Sequence, residues 1–311
     1  MKVYRELAEV EPDFGPSAVT IGKFDGVHSG HRAVIDRLVA DARAAGLVST
    51  VITFDRNPLA LLAPERCPEP LVSLEQKLEL LAGTGVDAVF VLRFDTAVAG
   101  LPADRFVTDY LVDALHARRV CVGADFRFGA RNAGDLELLS RLGAEHGFEV
   151  ETIGDVVGAA GERVSSTRIR GLLADGDVVE AGRLLGRAPA LRGTVVHGAK
   201  RGRELGFPTA NLSPESEGLI PADGIYAGWL VDGGVRHPAA ISVGDNPTFE
   251  GVPQRQVEAH VIDATLDLYD HEVEVVFAER IRGMVAFQGI PALIEQIADD
   301  VRVARAVLAS R

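Results

Sequence analysis

A chain of 311 residues has room for two domains of ordinary size, about 100 to 200 residues each, with a core in each. Hydrophobic residues at 47% and charged residues at 25% describe an ordinary globular composition, and no apolar run reaches the roughly 18 residues that a membrane-spanning helix needs. A net charge of −13 opposes binding to nucleic acid or to an anionic membrane surface, but leaves small anions to backbone N–H groups and local cations.

The first residues, MKVYRELAEVEPDFG, carry Glu6, Glu9, Glu11 and Asp13 where a secretory signal needs an apolar stretch, so a cytoplasmic protein is expected. Cys67 and Cys121 are the only cysteines; the second lies in the apolar run VCVG, and neither a disulfide framework nor a thiolate metal site is indicated. From Ala18 to Leu185 strand-like and helix-like runs alternate: AVTIG, HRAVIDRLVADARAAG, LVSTVITF, LEQKLELLAG, DAVFVLRF, ADRFVTDYLVDAL, RRVCVGADF, GDLELLSRLGAEHG and FEVETIGDV. This is the rhythm of parallel strands with crossover helices, and it predicts an α/β, Rossmann-like open sheet.

After Gly186 the runs become short, β-branched or aromatic, and are separated by Gly, Pro and Asp: LRGTVVHG, GIYAGWLVDGGVRHPAAISVG, RQVEAHVID and HEVEVVFAERI. Asp232-Gly233-Gly234 predicts a hairpin turn, and the half as a whole predicts a small antiparallel barrel or sandwich. The tail from Pro291 has helical spacing and is expected to pack against it. The spacing divides the chain at 1–186 and 187–311, with LLGRAPALRG as the connection, and leaves the oligomeric state open.

In the first half, TIGKFDGVHSGHRAVI ends a strand, turns through Gly22, Gly26 and Gly30, and opens a helix. That geometry offers backbone N–H groups and a helix N-terminus to a phosphate. His28 and His31 stand three residues apart and could donate to phosphate oxygens, although such a pair also serves as a metal half-site or as capping residues. Far along the chain SSTRIR, Ser165 to Arg170, stands directly before the helix-like GLLADG. It is either a plain cap or, with Arg168 and Arg170, a set of hydroxyl and guanidinium donors suited to a triphosphate.

TIGKFDGVHSGH together with VSSTRIR resembles the HxGH and ISSTxIR pair of the nucleotidyltransferase superfamily, and the first half resembles the FMN adenylyltransferase module of bacterial FAD synthetases. The resemblance implies that His28 and His31 bind ATP phosphates and stabilise the transition state. It places ATP on Gly22, Phe24, Asp25, Gly26 and Gly30, with Ser165, Ser166, Thr167, Arg168 and Arg170 holding the triphosphate. The phosphate of FMN then attacks the α-phosphorus and expels pyrophosphate, with no covalent enzyme intermediate. TFDRNP and VGADFRFG fit the same module and imply flavin contacts at Asn57, Asp125, Phe126 and Phe128. Asn57 stands where the family usually has histidine, and Asp125 also suits a turn that it merely caps.

In the second half HGAKRGRELGFPTANL gathers Gly198, Gly202 and Gly206 around Lys200, Arg201 and Arg203, followed by Thr209 and Asn211. Glycine turns with cations suit a nucleotide phosphate, and two neutral oxygens suit Mg²⁺ shared with it; a solvated basic loop has the same composition. Together with GDNPTF and VEAHVID the segment resembles the riboflavin kinase family. The resemblance implies ATP contacts at Gly198, Arg201, Gly202, Gly206 and Thr209, Mg²⁺ on Thr209 and Asn211, flavin contacts at Asn246 and Phe249, and Glu258 as general base. Without it, Glu258 is an exposed strand residue. Asp245 replaces the threonine more usual before NPTF and is expected to face solvent or a cation. GIYAG also matches a family segment, or is a hairpin strand; His260 is read as a packing residue.

The implied whole is a bifunctional enzyme using riboflavin, FMN and ATP with Mg²⁺. The alternatives are a protein with one working site and a non-catalytic flavin binder, and the latter has no need of His28, His31, Thr209, Asn211 and Glu258 together.

Overall fold

The computed structural model describes residues 1–154, 164–198, 201–244 and 255–311. Lys200, Asp245, Asn246 and Phe249 lie outside the described residues, as does the side chain of Arg201. Internal contacts divide the chain into two units, Met1–Ser165 and Ser166–Arg311.

The first unit runs β1 (Lys2–Tyr4), β2 (Ser17–Ile21), α1 (Ser29–Ala45), β3 (Val48–Phe54), α2 (Leu59–Leu62), α3 (Leu74–Ala82), β4 (Ala88–Leu92), α4 (Thr96–Ala99), α5 (Ala103–Phe106), β5 (Ala117–Gly123), α6 (Leu136–His146) and β6 (Glu149–Ile153). A π-helical stretch, Val107–Ala114, continues α5. The strands form one six-stranded sheet in the order β1-β4-β3-β2-β5-β6, and every pair is parallel. The α/β expectation is thus met, with β1 added at the edge. SAVTI and AVFVL are buried at every position, as central parallel strands covered on both faces must be. Along β4, Phe90 packs with Leu111, Leu115 and Leu139 on one face, while Val89 and Val91 pack with Ile35, Val51 and Leu81 on the other. The chain moves outward from β2 through β3 and β4, then resumes beyond β2 with β5, so the order reverses between β2 and β5. The crevice at the carboxyl ends of those two strands is where such sheets bind ligands.

The second unit runs α7 (Ser166–Asp175), α8 (Val178–Leu185), β7 (Ala190–Val196), α9 (Arg201–Glu204), β8 (Ala210–Leu212), β9 (Gly224–Asp232), β10 (Val235–Gly244), β11 (Gln256–Val261), β12 (Glu272–Arg282) and α10 (Ile290–Ala309). The strands close into an antiparallel barrel in the order β10-β11-β8-β7-β12-β9, so the choice between barrel and sandwich falls to the barrel. Gly233 and Gly234, both at positive φ (53° and 82°), form the two-residue hairpin turn expected between β9 and β10. GIYAG is the first half of β9: Tyr226 and Ala227 are fully buried, and a Cβ on Gly228 would stand 2.1 Å from the Val276 carbonyl oxygen. The tail helix α10 packs on β9, β10 and β12. Arg282 binds Asp300 of α10 through two hydrogen bonds, at 2.9 and 2.6 Å, with Gln296 adding a third to Asp300.

One expectation is corrected. SSTRIR does not stand before its helix; α7 opens at Ser166, so Thr167, Arg168 and Arg170 lie inside its first turns. Ile169 and Leu173, four residues apart, are both buried, and this apolar stripe draws STRIR into the helix.

Candidate functional site

The turn between β2 and α1 is built at the crevice mouth. β2 ends at Ile21, the Gly22 N–H donates to Ile52 O at 3.0 Å, and the chain then turns through Phe24, Gly26 and Val27, all at positive φ (48°, 79° and 38°). Phe24 and Val27 are buried in the core beside Ile35 and Leu81, which fixes the turn from below. Asp25 Oδ1 accepts from the Leu71 N–H at 2.9 Å, so this carboxylate also anchors the neighbouring loop.

His28 is the N-cap of α1: its Nδ1 accepts from the His31 N–H at 3.3 Å. A neutral ring that accepts at Nδ1 carries its proton on Nε2, a donor of the kind that a phosphate oxygen takes. The two imidazoles stack, with centroids 3.5 Å apart and planes 15° from parallel, and Phe24 meets His31 edge-on at 5.2 Å. Burial first, then His28, Lys23 and Lys77, hold His31 well below the ordinary imidazole range. Its buried Nδ1 has no hydrogen-bond partner among the described residues. Gly30 has a packing reason: a Cβ there would stand 3.2 Å from the His28 ring and 3.5 Å from Val164. Val164 is buried beside the HxGH turn, and Ser165 follows it. Ser166 and Arg170 are partly buried on α7, Thr167 and Arg168 exposed.

The other segments expected to serve this half lie at strand ends. Asn57 Oδ1 accepts from the Leu59 N–H at 3.1 Å, so it caps the turn into α2. After β5, Asp125 is exposed, Phe126 is partly buried, and Phe128 lies in the core with its ring stacked on Phe126 at 5.4 Å. Phe128 therefore backs Phe126, which is the more open of the two rings. Thr53, the first residue of TFDRNP, and Lys77, which no motif marks, also stand at this turn. Thr53 Oγ1 donates to Lys23 O at 3.1 Å, and Lys77 Nζ donates to Phe54 O at 2.7 Å. The signal for Lys77 was its place on the apolar face of α3, in line with Leu74, Leu78 and Leu81. A groove of about 580 Å³ beside Phe14, His116 and Arg118 opens instead near the amino ends of β2 and β5, the opposite sheet edge.

In the barrel, Glu258 of β11 and Asn211 of β8 are cross-strand partners. Along β11 Val257, Ala259 and Val261 are buried while Glu258 and His260 are partly so, which puts Glu258 on the opposite face of the strand. Thr209 Oγ1 donates to Glu258 Oε2 at 3.1 Å, and Asn211 Nδ2 lies 3.3 Å from Thr209 O and 3.4 Å from its Oγ1. Thr209, Asn211 and Glu258 are thus one cluster. The glycine segment packs closely on it: a Cβ on Gly198 would meet Asn211 at 2.5 Å, and one on Gly202 would meet Phe207 O at 2.4 Å and Thr209 Oγ1 at 3.5 Å. Gly206 sits at φ +89° with open space around it. His260 Nδ1 lies 2.8 Å from Pro208 O, a supporting contact in keeping with a packing residue. Thr209 also lines a cavity of about 330 Å³ whose other walls include Val195, Val261, Leu266 and Leu268.

Residues 11–168 match the family described as FAD synthetase and residues 185–308 that described as riboflavin kinase. A protein of Escherichia coli (strain K12) named bifunctional riboflavin kinase/FMN adenylyltransferase is 41% identical over 288 residues, covering 92% of this chain and 91% of that one. A Pseudomonas fluorescens protein of the same name is 38% identical over 309 residues, covering 99% and 98%. The crystal structure of a Streptococcus pneumoniae protein described as a macrolide-efflux protein covers 97% of this chain and 98% of its own, with TM-score 0.86 and 32% identity. Among the described residues no helix is long and apolar enough to cross a membrane. With both family regions in this order and relatives matching almost end to end, the chain belongs to the bifunctional riboflavin kinase/FMN adenylyltransferase family.

Proposed function

We propose that the chain makes both flavin cofactors, phosphorylating riboflavin to FMN in residues 187–311 and adenylylating FMN to FAD in residues 1–186. The observation that carries the reading is that each half assembles its own reaction set: the stacked His28–His31 pair on a glycine turn at the sheet's switch point, and the Thr209–Asn211–Glu258 cluster beneath a glycine segment.

In the kinase half, Glu258 takes the proton of the ribityl 5′-hydroxyl as that oxygen bonds to the γ-phosphorus of ATP and ADP leaves. Gly198, Arg201, Gly202, Gly206 and Thr209 hold the nucleotide, and Asn246 and Phe249 meet the flavin. Thr209 and Asn211 offer neutral oxygens beside one carboxylate, a hard donor set of the kind Mg²⁺ takes when it shares a site with phosphates. When bound, Mg²⁺ neutralises phosphate charge. In the other half His28 and His31 donate to the phosphates of ATP, helped by Gly22, Phe24, Asp25, Gly26 and Gly30. Ser165, Ser166, Thr167, Arg168 and Arg170 hold the triphosphate, while Asn57, Asp125, Phe126 and Phe128 serve the flavin. A phosphate oxygen of FMN bonds to the α-phosphorus, and pyrophosphate leaves with the electron pair of the broken bond. The cytoplasm, where ATP is abundant, suits this chemistry.

The test is chromatographic separation of flavins over time after incubation of the protein with riboflavin, ATP and Mg²⁺. FMN rising first and FAD following is the expected course. FMN accumulating without FAD would leave only the kinase, and unchanged riboflavin would favour a flavin binder.

A further inference from the structure

Between the ends of β2 and β3 lies a buried ammonium that the reaction as described does not use. Lys77 of α3 is 8% exposed, and its Nζ reaches Phe54 O at 2.7 Å and Lys23 O at 3.5 Å. Thr53, fully buried, gives its hydroxyl to the same Lys23 oxygen. An ammonium taken out of water is costly unless it is paired and hydrogen-bonded, and Lys77 stands in line with Leu74, Leu78 and Leu81 of α3, where a simple space-filler would be apolar too.

The part held by these donors has an uncommon backbone. Phe24 and Val27 both lie at positive φ, and for a β-branched residue such as Val27 this is a true outlier. Strain of this kind persists only where the surroundings over-determine it, and it gathers at functional sites. The Lys23 carbonyl belongs to the planar peptide unit that enters Phe24, so donors to that oxygen set the plane against which the φ of Phe24 is turned. Gly22 N–H on Ile52 O, Asp25 on Leu71 N–H and the His28 cap restrain the rest of the turn.

We propose that Lys77 is a positioning residue for adenylyl transfer: its ammonium, together with the Thr53 hydroxyl, pins the Lys23–Phe24 peptide to the end of β3 and holds the strained turn in the shape that presents His28 and His31. The inference rests on the reading of this turn as the ATP phosphate site. Burial lowers Lys77 to about 8, against the opposing pull of Asp25 and Asp55, so the ammonium that makes these bonds prevails at neutral pH.

The full chain is assayed for FAD synthesis from FMN and ATP and, in parallel, for riboflavin phosphorylation, with Lys77→Met and Thr53→Val. Lys77→Met keeps the apolar stem and removes the donors. It is expected to raise KM for ATP and lower kcat, for a combined loss of about 10- to 100-fold in kcat/KM, consistent with losing a hydrogen bond to a charged group in a turn that it positions. KM for FMN and the kinase rate should stay within about two-fold. Thr53→Val, nearly isosteric, should show the same pattern at about 3- to 10-fold. Unchanged adenylylation in Lys77→Met overturns the proposal. So does a fall in kcat with KM for ATP unchanged, which is what mere loss of folded protein produces. Should Lys77→Met fail to fold, Thr53→Val decides on the same criteria. A parent chain that makes no FAD from FMN would remove the phosphate-site reading itself, and the proposal with it.

Discussion

Glu258→Gln separates a general base from a structural hydrogen-bond acceptor. Glu258 Oε2 accepts from Thr209 Oγ1 at 3.1 Å, and the residue is held between β8 and β10, with Asn211 and Ser242 as its cross-strand partners. Glutamine has the same length and can still accept from Thr209 through its amide oxygen, so the substitution leaves the cluster in place and removes only the basicity. General-base catalysis contributes about 10²- to 10⁴-fold, or about 2.7 to 5.4 kcal/mol in the barrier. A neutral hydrogen bond merely weakened costs about 0.5 to 1.5 kcal/mol, which is only about 2- to 13-fold. The two accounts therefore predict ranges that do not overlap. The assay is single-turnover phosphorylation of riboflavin, with FMN quantified by chromatography and FAD formation from supplied FMN measured on the same preparation. A loss of at least about 100-fold in the first with the second unchanged is expected. A loss below about tenfold would refute the assignment of the base to Glu258.

His28→Ala removes both the α1 cap and half of the stacked pair; FAD synthesis from FMN should fall by about 10²- to 10³-fold while riboflavin phosphorylation is spared, and equal loss of both would refute independent sites. His31 gives a pH prediction with a definite sign. Its folded-state pKa lies below the ordinary imidazole value of 6.5, so the unfolded chain binds the proton more readily, and stability present above about pH 6.5 is lost as pH falls toward the folded value. Urea unfolding of the first unit at pH 7.5 and 5.5 should show this slope in the parent chain and a shallower one in His31→Asn; identical slopes would contradict it. Asp300→Ala leaves Arg282 without its bidentate partner in a mostly buried setting and should cost the second unit about 3 kcal/mol by urea unfolding, while a loss under about 0.5 kcal/mol would mean that the pair does little to dock α10.

Strands that are buried on both faces announce themselves, because a central parallel strand must be apolar throughout; SAVTI and AVFVL are legible for that reason. KVY and ANL are not, since three residues carry no periodicity, and the latter directly follows the PT of a turn-like segment. The start of α7 is not legible, because Ser and Thr signal a cap as readily as a first turn and only the burial of Ile169 decides between them. In the barrel, Thr209, Asn211 and Glu258 carry recognisable motifs, but the register that makes Asn211 and Glu258 neighbours belongs to strand pairing, which no local pattern specifies. Lys77 was hidden for a different reason. A lysine among leucines is ordinarily a solvated residue on a helix, and its value as a donor depends on the Phe54 carbonyl at the end of β3 and the Lys23 carbonyl in the turn after β2.

The edge strand β1 has a consequence for synthesis. Lys2–Tyr4 pairs in parallel with Ala88–Phe90, about 85 residues further on. At ribosomal speeds of 5 to 20 residues per second that interval is roughly 4 to 17 s, and throughout it β1 has no strand to pair with, whereas β2 and β3 are made close together and can zip first. The sheet therefore grows outward from the pair that carries the HxGH turn, and β1 is a late clasp. In the complete chain the wider separation also costs β1 more loop closure than β2 and β3 incur, so pulse-labelled hydrogen exchange during refolding should protect the amides of Thr50–Phe54 before those of Lys2–Tyr4; the reverse order would show that the edge strand helps to nucleate the sheet.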